Sequence, residues 1–328
     1  MPSRKDSAVE RPLYYRDQSD WRALQRYLPP RLRLNDATAP TEDFWEWRGN
    51  TVHLDRYPDP EAPAKVVLHH GVGTNGRQMS LILGAPLARR GFETVAIDNL
   101  GYGLTKTRPG AVHSYDDWVD LVVDFLAFER TRDDRPIVLF GLSAGGMLAY
   151  HVAAKAPAET LRGLVGTTFL DQREQKVRDS TSHDIVQSRL GLPFLGLVAK
   201  TPAAGVEYPM RLGAKMSALV NDRGALRVMT RDRTSGGNWA SARFLATYST
   251  YTPAVEPEQF DACPILLTQP HRDRWSPLPL SEWFLSRVTH VPVRTVLLDD
   301  AGHYPIEDTG LRLLEDAVAD FTTEVCAP

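Results

Sequence analysis

The chain has 328 residues, with 38 Lys or Arg against 41 Asp or Glu, for a formal net charge of −3. This balance gives no electrostatic reason to expect nucleic acid or an anionic membrane surface as a partner. Two cysteines, with no zinc-ligand spacing, exclude a disulfide framework and predict free thiols rather than a metal site.

The N-terminal stretch lacks the apolar core of a signal peptide, and no apolar run approaches the ~20 residues that a membrane span needs. We therefore predict a cytoplasmic protein without a membrane span. The sequence leaves the oligomeric state open.

Residues 1–45 are predicted to form an N-terminal extension that is polar and loosely held up to about residue 20. A short helix follows over Asp20–Leu28 and is ended by two prolines. Phe44–Trp47 and Thr51–Leu54 then indicate two short strands joined by a turn that contains Gly49.

From residue 65 the pattern alternates between apolar strands and helices. Strands that are apolar on both faces, alternating with helices, predict a parallel sheet covered on both sides. The predicted strands are Val66–His70, Glu93–Asp98, Ile137–Phe140, Leu161–Leu170, Ile265–Thr268 and Val293–Leu298; the predicted helices are Gln78–Arg90, Tyr115–Arg130, Ala144–Ala156, Leu278–Val288 and Gly310–Phe321.

The alternation stops over residues 171–258, which contain helix-like pieces and many Gly and Pro breakers but no clear buried strand. A long insertion of this kind in a sheet protein is typical of a functional cover. We therefore predict an α/β core over residues 46–170 and 259–328, interrupted by a helical cap over residues 171–258.

Ser143 lies in the stretch GLSAGG, between a predicted strand and a predicted helix. In the pattern G-x-S-x-G, glycines remove side chains that would clash where the strand turns sharply into the helix, and the hydroxyl is left exposed. This context predicts a nucleophilic serine, which needs a base, a group that orients the base, and donors for an oxyanion.

His303 is the candidate base, because it follows the last predicted strand and therefore falls at the same sheet edge as Ser143. Two carboxylates compete for the orienting role. Asp273 follows the strand Ile265–Thr268, whereas Asp171 ends an earlier strand at the same edge. We favour Asp273 and keep Asp171 as the alternative, with helix capping ahead of Arg173 as its structural role.

Backbone amides are the expected oxyanion donors. One is the amide of Ala144 at the start of the helix, and the other comes from the loop in His69-His-Gly-Val-Gly73, where we favour Val72 over Gly73.

Five motifs together resemble the α/β-hydrolase superfamily, in particular esterases of the monoacylglycerol-lipase and serine-aminopeptidase type. They are HHGVG, the stretch DNLGYGLT from Asp98, GLSAGG, the segment around Asp273, and AGHYP, and the resemblance covers about residues 60–325. It implies an eight-stranded, mostly parallel sheet with Ser143 as nucleophile, Asp273 as acid, His303 as base, and Val72 with Ala144 as the oxyanion pair. In this family the aspartate at the position of Asp98 has a structural role.

These residues predict a serine hydrolase that cleaves a carboxylic ester through an acyl-enzyme and needs no cofactor. Alternatives are the same triad acting on a lactone, thioester, aminoacyl or carbon–carbon bond, or a non-catalytic binding protein on this fold. We expect a small-molecule substrate with an apolar or aromatic portion, held by Trp275, Trp239 and Tyr248.

Overall fold

A computed structural model of the protein describes residues 14–327 and contains ten strands within them. They are β1 (Thr41–Trp47), β2 (Asn50–Tyr57), β3 (Lys65–His69), β4 (Glu93–Ile97), β5 (Ile137–Gly141), β6 (Gly163–Gly166), β7 (Glu207–Pro209), β8 (Trp239–Ser241), β9 (Ile265–Pro270) and β10 (Val293–Leu298). Eight form one sheet in the order β1-β2-β4-β3-β5-β6-β9-β10. The pairs β1–β2 and β2–β4 are antiparallel and all others in this sheet are parallel. The predicted eight-stranded, mostly parallel sheet is therefore confirmed.

Twelve α-helices lie in the same residues: α1 (Asp20–Leu24), α2 (Gly76–Met79), α3 (Ala85–Arg89), α4 (Tyr115–Arg132), α5 (Ala144–Lys155), α6 (Gln175–Thr181), α7 (Leu192–Val198), α8 (Met210–Gly213), α9 (Arg223–Arg231), α10 (Ala242–Thr250), α11 (Leu278–Leu285) and α12 (Asp308–Val325). A π-helical segment, Ser80–Gly84, joins α2 to α3, and another, Gln187–Gly191, leads into α7. Short 3-10 turns lie at Tyr15–Asp17, Gln25–Tyr27, Pro30–Leu32, Pro202–Gly205, Met216–Ala218 and Pro257–Gln259. No helix in residues 14–327 is both long enough and apolar enough to cross a membrane.

Helices cover both faces of the sheet, which explains why its central strands are apolar throughout. In β3, Val67 packs into one hydrophobic cluster with residues of α4 and α5, whereas Val66 and Leu68 pack into a second cluster with residues of α12. Successive strand side chains point to opposite faces. Burying each such side chain stabilises the fold by about 1.5–3 kcal/mol.

The parallel register brings the carboxyl ends of six strands to one edge of the sheet. His69 of β3 pairs with Gly141 of β5, and Gly141 pairs with Gly166 of β6. On the same side, Leu298 of β10 pairs with Pro270 of β9. The loops that follow these residues therefore meet at a single edge, where open α/β sheets bind their ligands.

Strand β6 is shorter than the predicted strand Leu161–Leu170, since it ends at Gly166. From Thr167 the chain leaves the sheet and passes beside Ser143, whose backbone it binds. The run of apolar and β-branched residues therefore predicted too long a strand. Thr167 and Thr168 bind the backbone of Ser143 instead of pairing in the sheet.

Helices α6–α10 and strands β7 and β8 lie between β6 and β9, in the region that the sequence assigned to a cap. The sequence showed no clear buried strand here, and the structure adds two short strands, β7 and β8, which form an antiparallel pair with Glu207 opposite Ser241. Each of these strands has three residues, too few to produce a recognisable alternation.

The N-terminal extension is bound to the core from Tyr14 onward. Tyr15 is fully buried and donates a hydrogen bond to Asp98 at 2.9 Å, so the loose attachment expected up to about residue 20 was wrong for this part. Residues 1–13 lie outside the described residues. The predicted helix over Asp20–Leu28 is α1 followed by a 3-10 turn, and β1 starts at Thr41, within the predicted extension.

Candidate active site

Ser143 lies on a tight turn between β5 and α5, with φ 55° and ψ −122°. A positive φ at a non-glycine residue costs on the order of 1–3 kcal/mol, so the surrounding structure must hold this conformation. The glycines on either side are required by close packing. A Cβ at Gly141 would lie 1.9 Å from the carbonyl oxygen of Gly145, and a Cβ at Gly145 would lie 2.7 Å from that of His70.

Two consecutive threonines bind the backbone of Ser143. The Ser143 N–H donates to Thr167 Oγ1 at 2.8 Å, and Thr168 Oγ1 donates to the Ser143 carbonyl at 3.1 Å. Both threonines are fully buried. Our sequence reasoning missed them, because both fell inside the predicted strand Leu161–Leu170, whereas β6 ends at Gly166.

His303 and Asp273 extend from Ser143 in one hydrogen-bonded chain. His303 Nε2 lies 2.7 Å from Ser143 Oγ, and His303 Nδ1 lies 2.8 Å from Asp273 Oδ2. An ionised carboxylate only accepts, so Nδ1 carries the proton and Nε2 accepts from the serine hydroxyl. The side chains of His303 and Asp273 are almost completely buried. Three segments distant in sequence thus meet with an arrangement that can remove the proton from the serine.

The Asp273 carboxylate remains ionised in this buried position. Burial raises its pKa, but the charge and hydrogen bond of His303 and the backbone amides of Ser276 and Trp275 outweigh this effect, and the pKa lies below its usual value. The two amides donate to Asp273 Oδ1 at 3.0 and 2.7 Å, respectively. One carboxylate oxygen is therefore held by the loop and the other is free for the imidazole.

Asp171, the alternative acid, is bound elsewhere. Its carboxylate accepts from the Arg173 guanidinium at 2.7 Å and from the Arg173 backbone N–H at 2.9 Å. Arg173 also pairs with Glu256 at 2.6 Å. Asp171 does not cap α6, since that helix begins at Gln175 after Glu174. The structure therefore brings Asp273, and not Asp171, to His303.

The loop after β3 passes directly over the serine turn. A Cβ at Gly71 would lie 2.8 Å from Ser143 Cβ and 3.3 Å from the Ala144 nitrogen. The next residue, Val72, lines a cleft together with Ser143 and Ala144. Gly73, our second choice for the donor, is not among the residues that line this cleft.

The cleft above Ser143 is mostly apolar and has about 660 Å³ of empty space, including its open mouth. Residues 171–258 and the α/β core both contribute to its wall. None of the described lining residues carries a charge: they are Val72, Ser143, Ala144, Leu170, Gln172, Thr181, Ser182, Leu192, Met210, Gly213, Ala214, Leu245, Tyr248, Ser249, Trp275 and Ser276. The cleft therefore suits an uncharged group beside the serine.

Of the three residues expected to hold the substrate, Trp275 and Tyr248 line the cleft and Trp239 does not. Trp275 packs its ring against His303 with centroids 4.7 Å apart and donates to the Thr181 carbonyl at 3.0 Å. Trp239 starts β8 opposite Pro209 of β7, with 42% of its surface exposed.

In a second cluster of ionisable side chains, Glu42, His53 and Asp55 come close enough to share a metal ion. Each of them already has a partner within the protein. His53 Nε2 lies 3.0 Å from Glu42, and Arg77 donates to Asp55 at 2.5 Å. The Arg77 guanidinium is buried beside these carboxylates, so the cluster is a network of ion pairs.

Comparison with known proteins identifies relatives by family and by fold. Residues 60–310 match the model of the family described as serine aminopeptidase, S33. The sequence matches none of the curated proteins.

Three solved structures have a similar fold. A soluble variant of monoglyceride lipase from Saccharomyces cerevisiae, in complex with a substrate analogue, shares 16% identity with a TM-score of 0.72, covering 91% of this chain and 98% of that one. The α/β hydrolase GrgF from Penicillium sp. sh18 shares 14% identity with a TM-score of 0.68, over 88% and 99%. Monoacylglycerol lipase from Paleococcus ferrophilus shares 15% identity with a TM-score of 0.64, over 84% and 99%. The predicted α/β-hydrolase fold is confirmed by these similarities.

Proposed function

The chain belongs to the serine aminopeptidase (S33) family of α/β hydrolases, and from this premise we propose that it hydrolyses a carboxylic ester of a small, uncharged substrate. The observation that carries the proposal is the chain of hydrogen bonds from Ser143 through His303 to Asp273, which opens on an uncharged, mostly apolar cleft.

In the first half of the reaction, Ser143 Oγ attacks the ester carbonyl while His303 Nε2 takes the hydroxyl proton. Asp273 holds the imidazole in the required tautomer and stabilises its positive charge. The amides of Val72 and Ala144 donate to the oxyanion of the tetrahedral intermediate, a contribution that is typically worth 10²–10³-fold in rate per donor. His303 then gives its proton to the departing alcohol, which leaves an acyl group on Ser143.

In the second half, a water molecule attacks the acyl carbonyl while His303 removes one of its protons. The tetrahedral intermediate collapses, Ser143 recovers its proton from His303, and a carboxylic acid is released. Every proton passes through the imidazole, so the mechanism requires no cofactor.

The uncharged cleft favours an ester over the aminoacyl bond that the family description suggests. An N-terminal ammonium group that enters an apolar cleft needs a compensating carboxylate, because an unpaired buried charge is costly. The residues of 14–327 that line the cleft include no Asp or Glu. Two of the structural relatives are named as lipases of monoglycerides, which agrees with this choice.

The experiment is a panel of p-nitrophenyl esters of increasing acyl length and aminoacyl p-nitroanilides, assayed with the wild type and Ser143→Ala. We expect ester hydrolysis by the wild type, its loss in the variant, and labelling of the wild type alone by a fluorophosphonate. Cleavage of the anilides but not of the esters would indicate that the protein is an aminopeptidase instead of an esterase. Neither reaction, with ligand binding unchanged in Ser143→Ala, would support a binding protein instead.

A further inference from the structure

One stretch of the cap, residues 215–221, contacts three loops of the proposed site: the Asp273 loop, the His303 loop and the loop after β3 that carries Val72. We call this stretch the brace. Lys215 Nζ donates to the carbonyl of Arg274, beside Asp273, at 2.8 Å. The backbone N–H of Tyr304, beside His303, donates to the carbonyl of Leu219 at 2.8 Å. The brace therefore links the acid loop and the histidine loop, which are separate in sequence.

The third contact is with the loop that follows β3. Met216 lies against Gly73, where a Cβ would approach the Met216 methyl carbon to 2.5 Å. Met216 and Leu219 are both buried, with 3% and 1% of their surface exposed. This end of the cap is thus packed into the core.

Arg274 adds its own side-chain contacts to this connection. Its Nε donates to Asn221 Oδ1 at 2.9 Å, and its Nη2 donates to the Val220 carbonyl at 3.3 Å. No carboxylate of residues 14–327 lies within ion-pair distance of Arg274, so its hydrogen bonds go to neutral groups of the brace.

Asn221 contacts both loops at once. Its Nδ2 donates to the carbonyl of Arg272 at 3.4 Å, so its two ends bind the residues on either side of Asp273. The same amide lies against Gly302, where a Cβ would be 2.7 Å from Asn221 Nδ2. The side chain therefore fills the space between the residue before His303 and the residues that flank Asp273.

We propose that Arg274 and Asn221 are positioning residues, which hold the Asp273 loop and the His303 loop at the spacing that the catalytic hydrogen bond requires. The proposal rests on the proposed function, since it assigns these residues to the alignment of the acid and the base. Neither side chain lines the cleft, so they act through the loops and leave substrate binding unchanged. A displacement of about 1 Å in catalytic geometry can cost about 10²-fold in rate.

The test compares Arg274→Ala, Asn221→Ala and the double variant with Arg272→Ala as the matched control. Arg272 is the same residue type on the other side of Asp273, but its guanidinium pairs with Asp300 at 2.7 Å, where both side chains are more than half exposed. We expect each single variant to lower kcat about tenfold or more with KM within about twofold. The double variant should resemble the worse single one, because the two residues act together. Arg272→Ala should stay within twofold of the wild type.

Labelling by a fluorophosphonate and the thermal midpoint are measured in parallel, because they separate this proposal from the one on which it rests. A wild type that neither hydrolyses esters nor is labelled overturns both. An active wild type overturns the positioning role if Arg274→Ala matches Arg272→Ala, or if Arg274→Ala lowers the midpoint without lowering kcat. The positioning role is also overturned if the losses of kcat in the two single variants multiply in the double variant, because the two residues then act independently. Arg274→Lys should recover only part of kcat, since lysine lacks the planar fork that reaches two acceptors.

Discussion

His303 Nδ1 lies 2.8 Å from the carboxylate of Asp273, thirty residues away in sequence, while the carboxylate of Asp171 is bound to Arg173 at 2.7 Å. Both aspartates follow strands at the same sheet edge, so sequence position left the two open. The difference lies in their partners: a guanidinium neutralises Asp171, whereas the loop amides around Asp273 leave one oxygen for the imidazole.

The first prediction concerns these two carboxylates. Asp273→Asn should lower kcat for ester hydrolysis by about 10⁴-fold, because an amide no longer holds the proton on the correct imidazole nitrogen. Asp171→Asn should keep kcat within a few fold and lower only the stability. Steady-state kinetics on the folded variants, checked by circular dichroism, measures both. A larger loss of kcat in Asp171→Asn than in Asp273→Asn would contradict the assignment of Asp273.

The second prediction concerns the support of the serine turn. Thr167→Val removes the acceptor of the Ser143 N–H without changing the side-chain shape, so a buried donor loses its partner. We expect the free energy of unfolding to fall by about 1–3 kcal/mol, and kcat to fall as the strained turn relaxes. Urea denaturation and ester kinetics measure the two effects. Thr167→Ser keeps the hydroxyl and should restore kcat; equal losses in both variants would contradict this role.

The third prediction concerns the cleft. Tyr248→Ala removes part of the wall and so enlarges the cleft. We therefore expect kcat/KM for longer acyl esters to rise relative to kcat/KM for shorter ones. Each methylene that the enlarged cleft buries is worth about 0.8 kcal/mol, or about fourfold. Trp239→Ala is the matched control, because this side chain lies outside the cleft. An unchanged acyl-length profile in Tyr248→Ala, or an equal change in the control, would show that Tyr248 does not contact the acyl chain.

The fourth prediction links the buried ion pairs to pH. Burial lowers the pKa of His53, but interactions with Asp98 and Glu42, each 3.0 Å away, raise it to about 9. Because the pKa is raised on folding, the stabilisation is complete below the unfolded value of about 6.5 and is lost as pH rises through about 9. The shift corresponds to a contribution on the order of 3 kcal/mol.

Urea denaturation at pH 6, 8 and 10 checks this contribution. The wild type should lose stability between pH 6 and pH 10, and His53→Gln should be less stable at pH 6 but change less over the same interval. If the free energy of unfolding changes equally with pH in the wild type and in His53→Gln, then His53 does not carry the charge assigned to it.

Much of the fold and of the candidate site could be predicted from the sequence because these features have local signals. Apolar strands alternating with helices predict a parallel sheet, and the carboxyl ends of parallel strands meet at one edge. Ser143 and His303 each follow a strand with glycine beside them, so their proximity follows from the sheet order once that order is assumed. The glycines of the serine turn are likewise visible in the sequence as the pattern G-x-S-x-G. The structure shows why they are needed, since a Cβ at Gly141 or Gly145 would clash with the backbone.

The residues that line the cleft and the contacts of the brace depend on how residues 171–258 pack against the core. Trp239 and Tyr248 are both aromatic residues of the segment 171–258, yet only Tyr248 lines the cleft, whereas Trp239 starts β8 and is exposed. Asn221 has no local pattern that connects it with Arg274, and their contact joins segments 53 residues apart. The sequence by itself thus determined the type of sheet and the residues that follow its strands, since both are set by local periodicity. Only the tertiary structure decided which acid reaches the imidazole, which cap side chains line the cleft and which residues brace the loops, because long-range packing sets these contacts without a repeating signal.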